Sequence, residues 1–278
     1  MMDKVIHNKS VTCKFCSSAD IVKYGTFHGM QRYFCKSCRR KFADNDALPK
    51  MKTPIWIISL SLNCYYNGMS LAAVQKEINQ RHGAYYAQSS IYNWIMRFSE
   101  EGVRQAARFQ PVSGDSLFFC VTPVISGTRR LYFLDIFDLN SKFLLASKIT
   151  ETYTAAEIIS LIHSTVIAAN AHHPVTIRLS TACADFEPEL TTEISDPLLN
   201  LIFNKADLTI VKEFSSRLKK RSGVVRNFKS MKNAQTITGA WRIHYNHFME
   251  NSKSKHTIPA EQMGQPSFRK WEDIIGQS

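Results

Sequence analysis

Four cysteines in two tight pairs, Cys13-Lys-Phe-Cys16 and Cys35-Lys-Ser-Cys38, have the spacing in this chain that most directly specifies chemistry. Two residues between thiolates let one turn present both sulfurs to a single ion, and a second such turn closes a tetrahedral site. The chain holds seven cysteines, an odd count for a disulfide framework, and the paired spacing points to metal rather than bridges. Four thiolates leave no open coordination position, so the implied cofactor is one structural zinc ion. The alternative reading is four buried free thiols. His7 and His28 are nearby imidazoles that the site does not need. Lys36, Arg39, Arg40 and Lys41 flank the second pair, where they could lie on phosphate or form a solvated basic edge.

Charge is the second chemical signal. The 278 residues carry a net charge of +12, an excess that favours a polyanionic partner, most often nucleic acid. Residues 1–110 hold sixteen Lys and Arg against seven Asp and Glu, and residues 210–232 hold eight against one. A hydrophobic content of 44% describes a globular chain rather than a disordered one. No apolar run approaches the roughly 18 residues of a spanning helix. The opening MMDKVIHNKS lacks the apolar core of a signal peptide, so the expectation is a cytoplasmic, nucleoid-associated protein with no membrane partner.

Three sets of elements must position these groups. Between the cysteine pairs, IVKYGTFHGMQRYF alternates well enough for a hairpin with turns near Gly25 and Gly29, making residues 1–48 a zinc ribbon. Such a small segment needs its metal to fold. Residues 49–110 read as three helices. The first is Thr53–Tyr66, with Pro54 near its first turn; the second is LAAVQKEINQRHG, capped by Ser70; the third is Ser89–Phe98. Leu71, Val74 and Ile78 share one face of the second, and Ile91, Trp94, Ile95 and Phe98 point inward from the third. The pattern suits a helix-turn-helix module, with Ser89, Ser90, Tyr92, Asn93 and Arg97 available to face double-stranded DNA. The alternative is a helical linker domain without DNA contacts.

From Ser116 to Thr150 three strands form a meander, Leu117–Ile125, Leu131–Asp138 and Lys142–Ile149, with Pro123 suggesting an early end or bulge in the first. A helix at Tyr153–Ala171 and a strand at Pro174–Leu179 follow. A meander, a helix and a returning strand open an RNase H-like mixed sheet. The fold class is therefore α/β, with residues 111–278 forming the RNase H-like domain behind the ribbon and the small all-α module.

This order of parts resembles the DDE transposases of bacterial and archaeal insertion sequences, over nearly the whole chain. GDSLFFCVTPVISGTRRLYFLDIFDLNSKFLLASKIT looks like that family's GD-x-W-x-x-DET, glycine turn, YWLWDVID and RFLLAS. EFSSRLKKRSGVVRNFKSMKNAQTITGAWRIHYNHF is similar to its ER-x-x-x-x-L-K-x-R helix, basic loop and W-x-x-YN, and TIPAEQMG to its TPAE-x-AG close. The resemblance implies three carboxylates holding two divalent metals, typically magnesium, for in-line attack on DNA phosphodiesters. Carried over residue by residue, those positions fall on Cys120, Ser180 and Lys212, none of which replaces a carboxylate. Nearby acids that could rebuild the site are Asp185 and Glu213, whereas Asp135 and Asp138 match family aspartates outside the triad. Cys64 and Cys183 read as small apolar residues, His244 and His247 as packing residues.

The expectation is a transposase-derived DNA-binding protein that has lost its catalytic triad. It would act as a recognition or regulatory factor, and the resemblance adds a homodimer or higher oligomer. Lys212, Arg217, Lys219, Lys220, Arg221 and Arg226 would contact phosphates along the former cleft. The alternative is an active, magnesium-dependent transposase with non-standard ligands.

Overall fold

The computed structural model describes residues 11–27, 29–83, 85–109, 111–169, 173–203, 224, 228, 230–250, 257–266 and 268–276. They belong to two compact units, residues 1–58 and 59–278, with helix α1 (Ile55–Tyr66) spanning the boundary.

The first unit is an antiparallel sheet of β1 (Ile21–Phe27), β2 (Met30–Cys35) and β3 (Lys41–Ala43), in that order. The hairpin turns at Gly29. Gly25 does not turn the chain; it lies within β1, where the register slips between Lys23 and Thr26. The buried core is Cys13, Cys35 and Phe42, with Phe15, Ile21 and Tyr33 packed around it. So little apolar surface cannot hold a fold by itself.

In the second unit, α2 (Leu71–His82) starts where the Ser70 hydroxyl accepts from Ala73 N–H at 3.2 Å. Helix α3 (Gln88–Ala106) runs well beyond Phe98, because its apolar seam continues through Ser99 and Gly102. A Cβ on Gly102 would lie 2.8 Å from Trp271 Cζ3, so the missing side chain is what admits that indole. The Tyr66 and Ser99 hydroxyls share a buried hydrogen bond, and the Tyr66 ring stacks on Trp271 at 5.4 Å. Helices α1 and α3 thus share a core with the C-terminal segment.

The main sheet contains β4 (Ser116–Ser126), β5 (Arg129–Asp138), β6 (Leu144–Thr150), β7 (Val175–Leu179) and β8 (Leu199–Phe203). Its order is β6-β5-β4-β7-β8, with β4–β6 antiparallel and β7 and β8 each parallel to the preceding neighbour. Helix α4 (Ala155–Ala168) makes the crossover to β7; a 3-10 turn (Thr181–Phe186) and α5 (Glu187–Glu193) lead to β8. A three-strand meander whose first strand pairs in parallel with the strand after a helix is the RNase H-like arrangement. Helices α6 (Met231–Phe248), α7 (Pro259–Gln262) and α8 (Trp271–Ile275) complete the chain.

Both faces of the sheet are covered, which explains why its strands are apolar almost throughout. Leu117, Phe119, Leu134 and Ile136 pack with Ile158 and Ile162 of α4, while Val124, Leu131, Phe133 and Ile149 pack with Ala234 of α6. Pro123 neither ends nor bulges β4: the ladder with β5 runs unbroken from Leu117 to Ser126. The reason is periodicity. Val121 N–H points toward the β7 side, donating to Ser180 Oγ, so the nitrogen two residues on faces the same way. There β7 pairs no further than Phe119, and a missing donor costs no ladder bond.

The β5–β6 turn is held by a buried carboxylate. Asp138 accepts from Gly114 N–H at 2.7 Å, Ser141 N–H at 2.7 Å, Ser141 Oγ at 2.8 Å and Asn140 N–H at 3.0 Å. A Cβ on Gly114 would lie 2.6 Å from Asp138 Oδ2, so only glycine lets the backbone approach. Asp138→Ala should cost about 2–4 kcal/mol, since it strands several buried donors, and urea denaturation of the full chain measures it. Asn246 fastens α6 to the start of β6: its Oδ1 accepts from Leu144 N–H at 2.8 Å and its Nδ2 donates to Leu144 O at 3.0 Å. The neighbouring Tyr245 hydroxyl donates to Lys142 O at 3.0 Å.

Candidate metal centre and nucleic-acid interface

Each cysteine pair forms the same small loop. Cys13 N–H donates to Ser18 O at 2.9 Å, and Cys35 N–H donates to Arg40 O at 3.0 Å. The residue after each second cysteine turns left-handed, Ser17 at φ +58° and Arg39 at φ +56°. These two loops bring the sulfurs together: Cys13 and Cys38 are 3.6 Å apart, Cys16 and Cys35 are 3.6 Å apart, and all four lie within 4.8 Å of one another. Sulfurs about 2.3 Å from one tetrahedral zinc would sit roughly 3.8 Å apart, so the donor set fits one ion. The separations are far beyond an S–S bond, about 2.05 Å. The Cys38 backbone N–H lowers the Cys35 thiol from its usual value, while burial and the neighbouring sulfurs hold Cys16 and Cys38 in the protonated direction.

Basic groups surround this centre. Arg40 lies 5.0 Å from the Phe15 ring centroid, and Lys41 lies 3.9 Å from that of Tyr24. Lys36 pairs with Asp20 at 3.6 Å on the surface, a contact of little energetic weight.

In the second unit, β4 and β7 bring two of the three expected catalytic positions to adjoining strands. Cys120 is buried on β4 opposite Asp135 of β5, on the sheet face that carries Phe133 and Val124. Ser180 ends β7: its N–H donates to Phe119 O at 2.9 Å, and its Oγ accepts from Val121 N–H at 3.4 Å. The two residues that flank Cys120 therefore hold Ser180. Asp135 is fully buried and accepts from Ser147 Oγ at 2.6 Å. Asp185 is exposed in the 3-10 turn, near enough to Tyr153 to contribute, after burial itself, to raising that phenol. Tyr153 packs with the α4-side core, the opposite face from Cys120. Among the described residues, Cys13, Cys16, Cys35 and Cys38 form the one group of three or more His, Cys, Asp or Glu gathered closely enough for a metal. Lys212, Glu213, Arg217, Lys219, Lys220, Arg221 and Arg226 lie outside the described residues, as do His7 and His28.

On α3, Ser89, Asn93 and Arg97 are exposed and Ser90 is half-buried. Tyr92 is half-buried, and its hydroxyl accepts from Asn233 Nδ2 of α6 at 2.9 Å, so this side chain is already engaged within the unit. Ile91, Trp94, Ile95 and Phe98 are buried as their spacing requires. Cys183 is buried, which pushes its thiol up to about 12. His244 and His247 are buried among aromatic rings. The sequence pattern did not expose the roles of Asp138, Asn233 and Asn246; each acts across 24 to 141 positions of chain. No helix among the described residues is long and apolar enough to cross a membrane.

No protein-family model and no curated protein matches this sequence. Among solved structures, the chain is similar to the HTLV-2 integrase catalytic core domain in complex with magnesium, at 12% identity and a TM-score of 0.41, over 55% of this chain and 97% of that one. It is similar to a chain of the simian T-cell lymphotropic virus intasome at 13% identity and a TM-score of 0.43, over 75% of each. The Mos1 strand transfer complex matches at 8% identity and a TM-score of 0.31, over 84% of this chain and 81% of that one. Likenesses this distant assign no residue, and the fold assignment rests on the strand order itself.

Proposed function

We propose that this chain is a transposase-derived protein that binds double-stranded DNA and does not cut it. The zinc ribbon and the α2–α3 helix-turn-helix supply recognition. The RNase H-like unit serves as scaffold and as the surface on which copies pair into a dimer or larger assembly. Its role is regulatory, at the nucleoid, acting on transcription or on transposition by an intact relative.

The observation that carries this reading is the pair at the sheet centre. Metal-assisted phosphodiester chemistry needs hard, acidic oxygen ligands at the end of the first strand and of its parallel neighbour. Cys120 offers a buried soft sulfur, and Ser180 a neutral hydroxyl already accepting from Val121 N–H. Neither can balance the charge of two divalent cations. The charge of +12 and the exposed Ser89, Asn93 and Arg97 support the DNA half of the proposal.

Two measurements test it. Incubation of the full chain with magnesium or manganese and a labelled duplex should leave the duplex intact; metal-dependent nicking sinks the inactive reading. Binding of duplex DNA should weaken linearly on a log–log salt plot. Lys212→Ala should lower that slope by about 0.9, the value of one lost phosphate contact. An unchanged slope removes Lys212 from the interface.

A further inference from the structure

The two faces of the ribbon sheet are unlike. On one, Cys35 and Phe42 are buried with Cys13, and Tyr33 packs on them. The register sets Val22 opposite Phe34, Phe34 opposite Lys41, Arg32 opposite Ala43 and Phe27 opposite Met30, so these side chains share the other face. Tyr24 joins them: its ring centroid lies 6.4 Å from that of Phe34, 5.9 Å from Arg32 and 3.9 Å from Lys41, which also donates to its hydroxyl. This face is open to solvent. Met30 is 38% exposed, Val22 39%, Tyr24 46% and Phe27 62%, four of the ten large apolar side chains left exposed among the described residues. Their gathering on one small sheet marks an interaction surface. A groove of 610 Å³ continues from it past Ala43 to residues 48–52. Its charged lining is Lys14, Arg32, Lys41, Lys50 and Lys52, with no acid, and the remainder is apolar apart from Asn45. Lys14 is already engaged, donating to Asn45 and to Ala47 O with Asp44 and Asp46 close by. Lys41, Lys50 and Lys52 are exposed, and Arg32 is half-buried.

We propose that this face of the ribbon binds single-stranded DNA. Unpaired bases stack on Tyr24 and Phe27, and the phosphates pass Arg32 and Lys41 into the groove at Lys50 and Lys52. A duplex suits the face less well, because its base faces are stacked on one another and only edges and phosphates reach a protein. An acidic peptide would answer the cations but leave the two rings without flat partners. The choice of DNA over RNA rests on the transposase-derived reading; the stacking does not. In that reading α3 holds the duplex, and the ribbon holds a strand from an opened end.

The test follows fluorescence anisotropy of labelled oligo(dT), oligo(rU) and a duplex with the full zinc-loaded chain at physiological salt, and competes oligo(dT) with polyglutamate. Oligo(dT) should bind saturably. Tyr24→Ala and Phe27→Ala should each weaken it about tenfold, the worth of one stacked base, and Phe27→Tyr, which keeps a ring, should keep the affinity. Duplex affinity should change by less than about twofold in these variants, since paired bases do not reach the rings. Lys50→Ala and Lys52→Ala, outside the strands, provide a second arm: each should lower the oligo(dT) salt slope by about 0.7. The absence of saturable oligo(dT) binding overturns the proposal. So does full affinity without the rings, parallel loss of oligo(dT) and duplex binding, or a salt slope that neither lysine changes. Tighter binding of oligo(rU) overturns the assignment to DNA, and displacement by polyglutamate at equal charge overturns it in favour of an acidic protein. Duplex binding that fails while ring-dependent oligo(dT) binding persists removes the duplex reading alone.

Discussion

Chelating a bound metal, or replacing Cys35 by Ser, should unfold residues 11–43 while leaving the second unit folded. The buried cluster under the ribbon sheet is Cys13, Cys35 and Phe42, and two of these three belong to the four-cysteine group. Hydrophobic burial on that scale falls well short of the entropy of ordering such a segment. A zinc ion held by the four thiolates would therefore provide most of the folding free energy, on the order of 10 kcal/mol in comparable structural zinc sites at neutral pH. Zinc analysis should give one ion per chain. With a strong chelator, amide resonances of Ile21–Ala43 should collapse toward random-coil positions while those of β4–β8 stay. Ribbon resonances that persist without metal would mean that side-chain packing holds the unit, and the four sulfurs would then be ordinary buried thiols.

Trp271→Ala should cause the largest single-residue loss in the second unit. The indole is 1% exposed, stacks on Tyr66 at 5.4 Å, lies parallel to His244 at 6.5 Å and contacts Phe248 at 5.5 Å. It also occupies the space left by Gly102 on α3. One residue near the end of the chain thus joins α1, α3 and α6. Truncating a buried Trp costs about 3–5 kcal/mol, and a unit of this size loses roughly 10 °C of melting temperature for it. Gly102→Ala attacks the same contact from the other side: its Cβ would lie 2.8 Å from Trp271 Cζ3, and the indole, held by Tyr66, His244 and Phe248, must be displaced to admit it. A loss below about 1 kcal/mol for Trp271→Ala would show that α8 is dispensable to the core.

Local features were legible in the sequence where neighbouring residues decide them. Two residues between thiolates are enough for a metal knuckle whatever surrounds it, and Cys13, Cys16, Cys35 and Cys38 converge as their spacing requires. The strands of the meander were visible because β-branched and aromatic residues run between polar turns. Their boundaries moved by one or two residues, as ladder ends usually do. Helix α3 was under-read, because Ser99 and Gly102 look like a stop until Trp271 is present to fill the gap. Pro123 was misread for the same kind of reason: whether a missing N–H matters depends on which strand lies beside it, and among the described residues none pairs there.

By itself the sequence determined the four-thiolate centre, the order of ribbon, helices and mixed sheet, and the absence of carboxylates at positions 120 and 180. Each of these follows from residue type and short-range periodicity. Only the tertiary structure decided that Cys120 and Ser180 lie side by side, since that depends on a parallel pairing between strands separated by a helix. It also decided that Asp138 locks a turn, that Tyr92 is engaged by Asn233, and that half-buried Arg242 donates to Leu145 O. A charged side chain looks the same in a sequence whether it faces water or a cavity. Burial and partners come from elements far apart in the chain, and chain-local patterns do not encode them.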